Sequence, residues 1–455
     1  FNNFYEDKKK LFFEKKLVKQ NFKKLIVNIF YPIYICFNNK LVIKKKKVFI
    51  KNYYRIYENG VGVGGLGNLD WLIDKEKKNY ENRSNIFVLE DVNHKNSRHI
   101  KALEQNKYNF INCNNKTQQG YISLWECVRN IFLLAPIGFF LSLYLFLFRS
   151  SNFEFFYKSW LSYFKWDNFV KFNSGNNYIV YHNYQEDHIL RNIFLKKNNF
   201  NLIHYKHTSS ENIFNYNLKN KYNNAYQAFV FYDQEFHQTQ QSIEMSEQNK
   251  SLTPIKLICG PTLFKKNINT FIKKKQIALF NSTFTDGHAA NSVPAHLNFL
   301  KFIKEVLDTT DYRVIFKSKN RVHIYEDYNP IFKGILQSFK NNKDVEIIDH
   351  SLDLQEIVMT SEISIHMPFA SSSVVALNHK QKFFFYDSLN YFNGSYYSKF
   401  NDVKLYSKNI KDNFQFIDFY SKMNQANYEK YISACYKKTF GNNYDNKNNI
   451  IKKYL

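Results

Sequence analysis

Between residues 270 and 390, short apolar runs and amphipathic segments alternate five times, and few folds satisfy that order. The apolar runs are "KQIALFNS" (275–282), "YRVIFKSK" (312–319), "DVEIID" (344–349), "EISIHM" (362–367) and "KFFFYD" (382–387). Each is the length of a strand. The segments between them, 292–308, 329–342, 353–361 and 372–379, read as helices. Leu297, Leu300, Ile303 and Leu307 recur at helical spacing after Pro294, which is tolerated in a first turn. Asp353 with Glu356 three residues on has the form of a capping pair. Strands separated by helices pair in parallel, so the region predicts an α/β doubly wound sheet covered on both faces.

Residues 85–262 repeat the theme. "NIFVLED", "YIVYHNY" (178–184), "NLIHYKH" (201–207), "YQAFVFYD" (226–233) and "IKLICGP" (255–261) read as strands, and 187–200 as a helix. Residues 208–224 and 234–253 read as polar loops. The expected organisation is a basic N-terminal region (1–84), one α/β domain (85–262), a second (270–410) and a helical tail (411–455) with one helix over 416–440. Two such domains imply a cleft between them.

Ligands of open parallel sheets bind beyond the carboxyl ends of the strands. Four loops there carry polar groups. "ASSS" places Ser371, Ser372 and Ser373 where a strand ends and a helix begins. One reading is an N-cap. The other is a phosphate seat, since free N–H groups and small hydroxyls favour an anion. "FKSKNR" adds Lys317, Lys319 and Arg321, "IIDHS" adds Asp349 and His350, and "FTDGH" adds Asp286 and His288. Cations at that edge suit a diphosphate.

The segment "MPFASSSVVAL…KFFFYD" resembles the signature of the polysaccharide-biosynthesis PFTS-motif proteins, with Pro368, Phe369, Ser371, Tyr386 and Asp387 in matching places. "VIFKSKNR" is similar to the family's Lys-x-Lys-Arg segment. Ala370 stands where the family has Thr, and "NHKQK" replaces a Gly-x-Pro. The resemblance is carried by residues 260–390. It implies two Rossmann-like domains of the GT-B glycosyltransferase type, with a nucleotide-sugar bound by the C-terminal one. It implies transfer of the sugar during surface-polysaccharide synthesis; the basic surface and residues 131–148, which would hold the chain at an anionic bilayer, suggest a lipid-linked acceptor. On this reading Phe369 joins the serines, the cations and His350 at the donor. The catalytic base would be a carboxylate, with Asp286 preferred and Glu90 and Asp187 as further candidates; Asp91 and His188 are also at hand. No cofactor or metal is called for, because cations and helix ends can stabilise the leaving diphosphate.

Three features stand outside that reading. Gly60, Gly62, Gly64, Gly65 and Gly67 crowd one stretch, and Gly62, Gly64 and Gly67 satisfy G-x-G-x-x-G, with Glu90 and Asp91 at a strand end downstream. A dinucleotide site, a cleft loop and a structural turn all fit. Residues 131–148, "IFLLAPIGFFLSLYLFLF", carry Arg129 and Arg149 at their flanks. They suit a membrane span, a segment entering one leaflet or a core helix. The net charge of +25, from 64 Lys and Arg against 39 Asp and Glu, has two readings: a bias toward Lys, Asn, Phe, Tyr and Ile that runs through the whole chain, or a surface suited to anionic partners. No nucleic-acid motif accompanies it. The expected location is the cytoplasmic face of an anionic membrane, peripheral or monotopic. The alternatives in function are a non-catalytic polysaccharide-binding or export-coupling protein of the same fold, and a dinucleotide enzyme using residues 60–67. The five cysteines show no metal-ligand spacing, which suits reduced, inert thiols.

Overall fold

The computed structural model describes residues 22–37, 40–41, 47–56, 85–89, 100, 104, 109–113, 121–148, 150–180, 188–206, 231–237, 240–248, 251–259, 271–282, 292–319, 326, 329–348, 354–368, 372–391 and 404–440. They form two compact units built on parallel α/β sheets.

The strands are β1 (Lys40–Leu41), β2 (Val48–Ile56), β3 (Asn85–Leu89), β4 (Phe110–Asn112), β5 (Tyr121–Ile122), β6 (Asn173–Val180), β7 (Asn201–Tyr205), β8 (Gln234–His237), β9 (Ile255–Ile258), β10 (Lys274–Phe280), β11 (Arg313–Lys317), β12 (Val345–Ile348), β13 (Ser361–His366), β14 (Phe383–Tyr386) and β15 (Tyr406–Ser407). The helices are α1 (22–37), α2 (Leu124–Phe148), α3 (Ser150–Phe172), α4 (His188–Lys197), α5 (Gln240–Gln248), α6 (Val293–Thr309), α7 (Pro330–Lys340), α8 (Leu354–Thr360), α9 (Ser372–Asn378), α10 (Ile410–Ser421) and α11 (Gln425–Phe440).

The C-terminal sheet runs β12-β11-β10-β13-β14-β15, and every pair is parallel. The chain starts at a central strand, winds outward to β12, and returns to wind the other way. Its direction therefore reverses between β10 and β13. Ile277, Ala278 and Leu279 are fully buried, as are Ile363 and Ile365. Such near-continuous apolar runs are what a sheet covered on both faces requires. Phe299, Phe302, Ile303 and Val306 of α6 pack on it, each burial stabilising by roughly 1.5–3 kcal/mol.

The other sheet runs β4-β3-β2-β6-β7-β8-β9. The pairs β2–β3, β2–β6, β3–β4 and β8–β9 are parallel. Strand β2 comes from the stretch read as a basic N-terminal region, and it pairs on both sides. At Gly175 of β6 an added Cβ would lie 2.2 Å from the Ile50 carbonyl oxygen, so β2 and β6 approach closely only because glycine is there.

Three expectations are corrected. Of the strand expected at 226–233, residues 226–230 lie outside the described residues and 231–233 are not strand; a strand falls at Gln234–His237, followed by helix α5, where a polar loop was read. Its Glu235 and His237 are buried in an ionic cluster, so the strand carries no apolar pattern. The single tail helix is two, because Asn424 accepts from the Asn427 N–H at 2.8 Å and starts a new N-terminus. Strand β15 was not read at all.

Candidate functional site

A reversal of strand order opens a crevice at the carboxyl ends of the two strands that flank it. In the C-terminal sheet those strands are β10 and β13. Asn281 and Ser282 follow β10 and are buried. The Asn281 Oδ1 accepts from the backbone N–H of Lys319 at 2.7 Å, which ties the loop after β11 to the loop after β10. The Met367 N–H donates to the Phe280 carbonyl at 2.8 Å and extends the β10–β13 pairing to the edge. Lys317 ends β11 and is buried, and Ser318 beside it is buried too. Lys319 keeps an exposed surface, yet the protein around its ammonium lowers its pKa by desolvation.

The serine run proves to be anchored from below. His366, the last residue of β13, is fully buried, with its ring stacked on Phe280 at 4.9 Å between centroids. Its Nδ1 lies 2.7 Å from the Ser372 Oγ and its Nε2 2.9 Å from the Ser364 Oγ. Burial pushes its pKa down to about 3, so the imidazole is neutral and pairs with one hydroxyl as donor and the other as acceptor. Ser372 therefore fixes the start of α9 to the sheet. Ser373 beside it is also buried.

Strand β14 brings a further group. Asp387 follows it, buried, and accepts from the Tyr406 hydroxyl; burial and this carboxylate raise the phenol's pKa. Ser388 donates to the Ala295 carbonyl at 3.2 Å, joining that loop to the first turn of α6. In that turn His296 is buried and pushed down to about 4 by desolvation. The edge thus combines neutral imidazoles, small hydroxyls, lysines and a buried carboxylate.

Of the residues singled out from the sequence, Lys317, Lys319, Ser372 and Ser373 stand on this edge. Asp286, His288, Glu90, Asp91, Asp187, Arg321, Asp349, His350, Phe369, Ser371 and the glycines of 60–67 lie outside the described residues. His366 was missed, although "ISIH" signals it: Ile363 and Ile365 alternate with Ser364 and His366, so a serine and a histidine share one face.

A second polar cluster was also missed. Glu235 of β8 is fully buried. Its carboxylate lies 3.4 Å from the His204 Nδ1 and 3.4 Å from the His237 Nε2, and it accepts from Ser246 at 2.8 Å and Ser251 at 3.2 Å. Burial alone would raise its pKa, but the two histidines and the charge of Lys206 hold it well below the usual carboxylate range. Among the described residues no group of three or more His, Cys, Asp or Glu is arranged to hold a metal ion.

A family model described as polysaccharide biosynthesis PFTS motif protein matches residues 160–411, more than half of the chain. No curated protein sequence matches it. Among solved structures, Alr3699/HepE from Anabaena, in complex with UDP and glucose, is 12% identical, covers 89% of this chain and 99% of its own, and has a TM-score of 0.52. A glycosyltransferase from Rickettsia africae is 12% identical over 90% of this chain and 99% of its own, with a TM-score of 0.48. MnaA from S. aureus, solved with UDP, is 10% identical over 84% and 91%, also at 0.48. The Anabaena likeness shows a common fold of two α/β units.

Proposed function

Because the chain belongs to the polysaccharide biosynthesis PFTS motif family, we propose that it is a glycosyltransferase that moves a sugar from a nucleotide-sugar to a growing, lipid-linked surface polysaccharide. The observation that carries this reading is the reversal of strand order between β10 and β13, with Lys317, Lys319, Ser372 and Ser373 on its carboxyl edge. The UDP and glucose in the Anabaena protein support a nucleoside diphosphate as the leaving group.

In the transfer, an acceptor hydroxyl oxygen bonds to the anomeric carbon of the donor. The bond from that carbon to the diphosphate oxygen breaks, and the diphosphate leaves with the electron pair. The hydroxyl proton passes to a base, for which Asp286 is the first choice and Glu90 and Asp187 the others. Lys317, Lys319 and Arg321 offset the charge that develops on the diphosphate, while Phe369, Ser371 and His350 complete the pocket. With cations in that role the reaction proceeds without a metal ion or cofactor. The acceptor is brought by an anionic membrane on its cytoplasmic side, to which the basic chain is drawn.

The test is direct. The chain is incubated with UDP-, GDP-, TDP- and CMP-sugars and a lipid-linked acceptor fraction, and free nucleotide and labelled lipid product are measured. Transfer with one donor, lost in Asp286→Asn and in Lys319→Ala, is expected. Tight nucleotide binding without turnover would favour the non-catalytic, export-coupling alternative.

A further inference from the structure

Helices α1 and α2 are built inside out. The buried residues of α2 are Asn130 and, spaced three and four apart in its second half, Ala135, Gly138 and Ser142. The large apolar residues point away: Trp125 is 75% exposed, Phe132 75%, Phe140 68% and Phe148 69%. Helix α1 repeats this pattern. Its buried residues are Leu25, Asn28 and Pro32, whereas Phe30 is 56% and Phe37 81% exposed. The side-chain amide of Asn28 and the hydroxyl of Ser142 are buried with no hydrogen-bond partner among the described residues. A helix that meets water does the opposite. Small and polar residues inside with bulky apolar ones outside is the pattern of helices whose surroundings are hydrocarbon.

The packing arranges the two helices as one outer layer. Cys36 of α1 approaches the Cys127 carbonyl at 3.9 Å. Further along, an added Cβ at Gly138 would lie 2.9 Å from the Asn28 carbonyl oxygen, and the Trp160 indole of α3 donates to that same oxygen at 3.0 Å. At the far end Lys24 pairs with Glu154. So α1 runs antiparallel beside α2, and both rest on α3. On its other side α3 meets the sheet, with Trp166 and Phe169 5.9 and 6.0 Å from Tyr178. The outer face of the layer is apolar along its length, and ion pairs stand at both ends: Lys24–Glu154 at one, Arg129–Asp167 and Lys171–Glu126 at the other.

We propose that α1 and α2 together form a platform that lies in the plane of an anionic bilayer and enters one leaflet. Helix α2 is long and apolar enough to cross a membrane, with 22% of its most apolar window buried. Both helices lie along α3, which itself packs on the sheet, so the protein covers one side of the layer along its length, and this favours lying along the interface over crossing it. A second copy of the chain would cover a narrow stripe, but the exposed residues include Phe132, Leu133, Ile137, Phe139, Phe140 and Leu141, which occupy most of the helix circumference. The net charge of +25, and exposed Lys23 at the rim, complement anionic lipid. This deepens the membrane part of the proposed function, yet it rests on other residues than the donor edge, so the two can fail separately.

The test is flotation of the full chain with phosphatidylcholine vesicles, with and without phosphatidylglycerol. Binding that requires the anionic lipid is expected, and Phe132→Asp with Phe140→Asp should weaken it roughly a hundredfold, since each removes a buried aromatic from the leaflet. Both positions are exposed, so circular dichroism and nucleotide binding should be unchanged. Nitroxides on cysteines placed at 30, 132, 140 and 148, with the native cysteines replaced by alanine, should report one shallow depth. A depth graded from 132 to 148 through the bilayer centre would overturn the in-plane arrangement. A concentration-dependent dimer abolished by the same aspartates, with no vesicle binding, would overturn the platform.

Discussion

Lowering the pH from 7 to 5 should loosen the carboxyl edge of β10 and β13 through His366. Its imidazole is buried between two serine hydroxyls and its pKa is pushed down to about 3, against about 6.5 in an unfolded chain. The folded value lies below the unfolded one. Stability is therefore intact above about pH 6.5, falls as the pH drops below it, and levels only beneath the folded pKa near 3. At 1.36 kcal/mol per unit, the step from pH 7 to pH 5 costs about 2 kcal/mol from this residue alone. His296, pushed down to about 4, adds a loss of the same sign over the same step. The assay is hydrogen exchange of the β10 and β13 amides across a urea series at both pH values. It is run for the wild type, for His366→Asn and for Ser372→Ala. The asparagine variant should lose about 2 kcal/mol less on acidification than the wild type. Ser372→Ala keeps the imidazole buried and should keep most of the slope. An equal pH loss in wild type and His366→Asn would refute a buried neutral histidine as the anchor.

Other expectations follow from the same packing. Gly175→Ala should destabilise by roughly 1–3 kcal/mol or more, read as a lower urea midpoint, because the new Cβ falls 2.2 Å from the Ile50 carbonyl and 2.6 Å from the Tyr53 ring. Glu235→Ala should cost about 3–5 kcal/mol, because it removes a buried carboxylate that accepts from Ser246 and Ser251 and offsets the charge of Lys206. Arg313→Ala, which removes a half-exposed pair with Glu346, should cost at most about 1 kcal/mol in the same measurement. Lys319→Ala should lower nucleoside diphosphate affinity about 10- to 100-fold by calorimetry with little change in melting, since its structural bond to Asn281 comes from the backbone.

The legible parts of the sequence were those where burial and periodicity agree. Strands β10, β11, β13 and β14 are buried over most of their length because both faces are covered, and each stood out between amphipathic helices. The family signature lay on β13, α9 and β14, which is also where the strand order turns. The illegible parts were those where charge or aromatic content hides the pattern. Strand β8, "QEFH", buries a carboxylate and an imidazole, and looks like loop. Helix α3 carries aromatic residues on every side because α1 and α2 cover one face and the sheet another. The residues 131–148 were conspicuous, but their small inward face at Ala135, Gly138 and Ser142, and the partner helix α1, emerge only from packing. Asn424 ends one helix and starts another through a single side-chain bond, which composition does not announce.

The most direct measurement is hydrogen exchange of the full chain with and without UDP and the other nucleoside diphosphates. The account predicts slowed exchange in peptides covering 278–282, 315–319 and 364–376, and not with NAD. Slowing confined to the glycine stretch at 60–67, or seen with NAD alone, would contradict it.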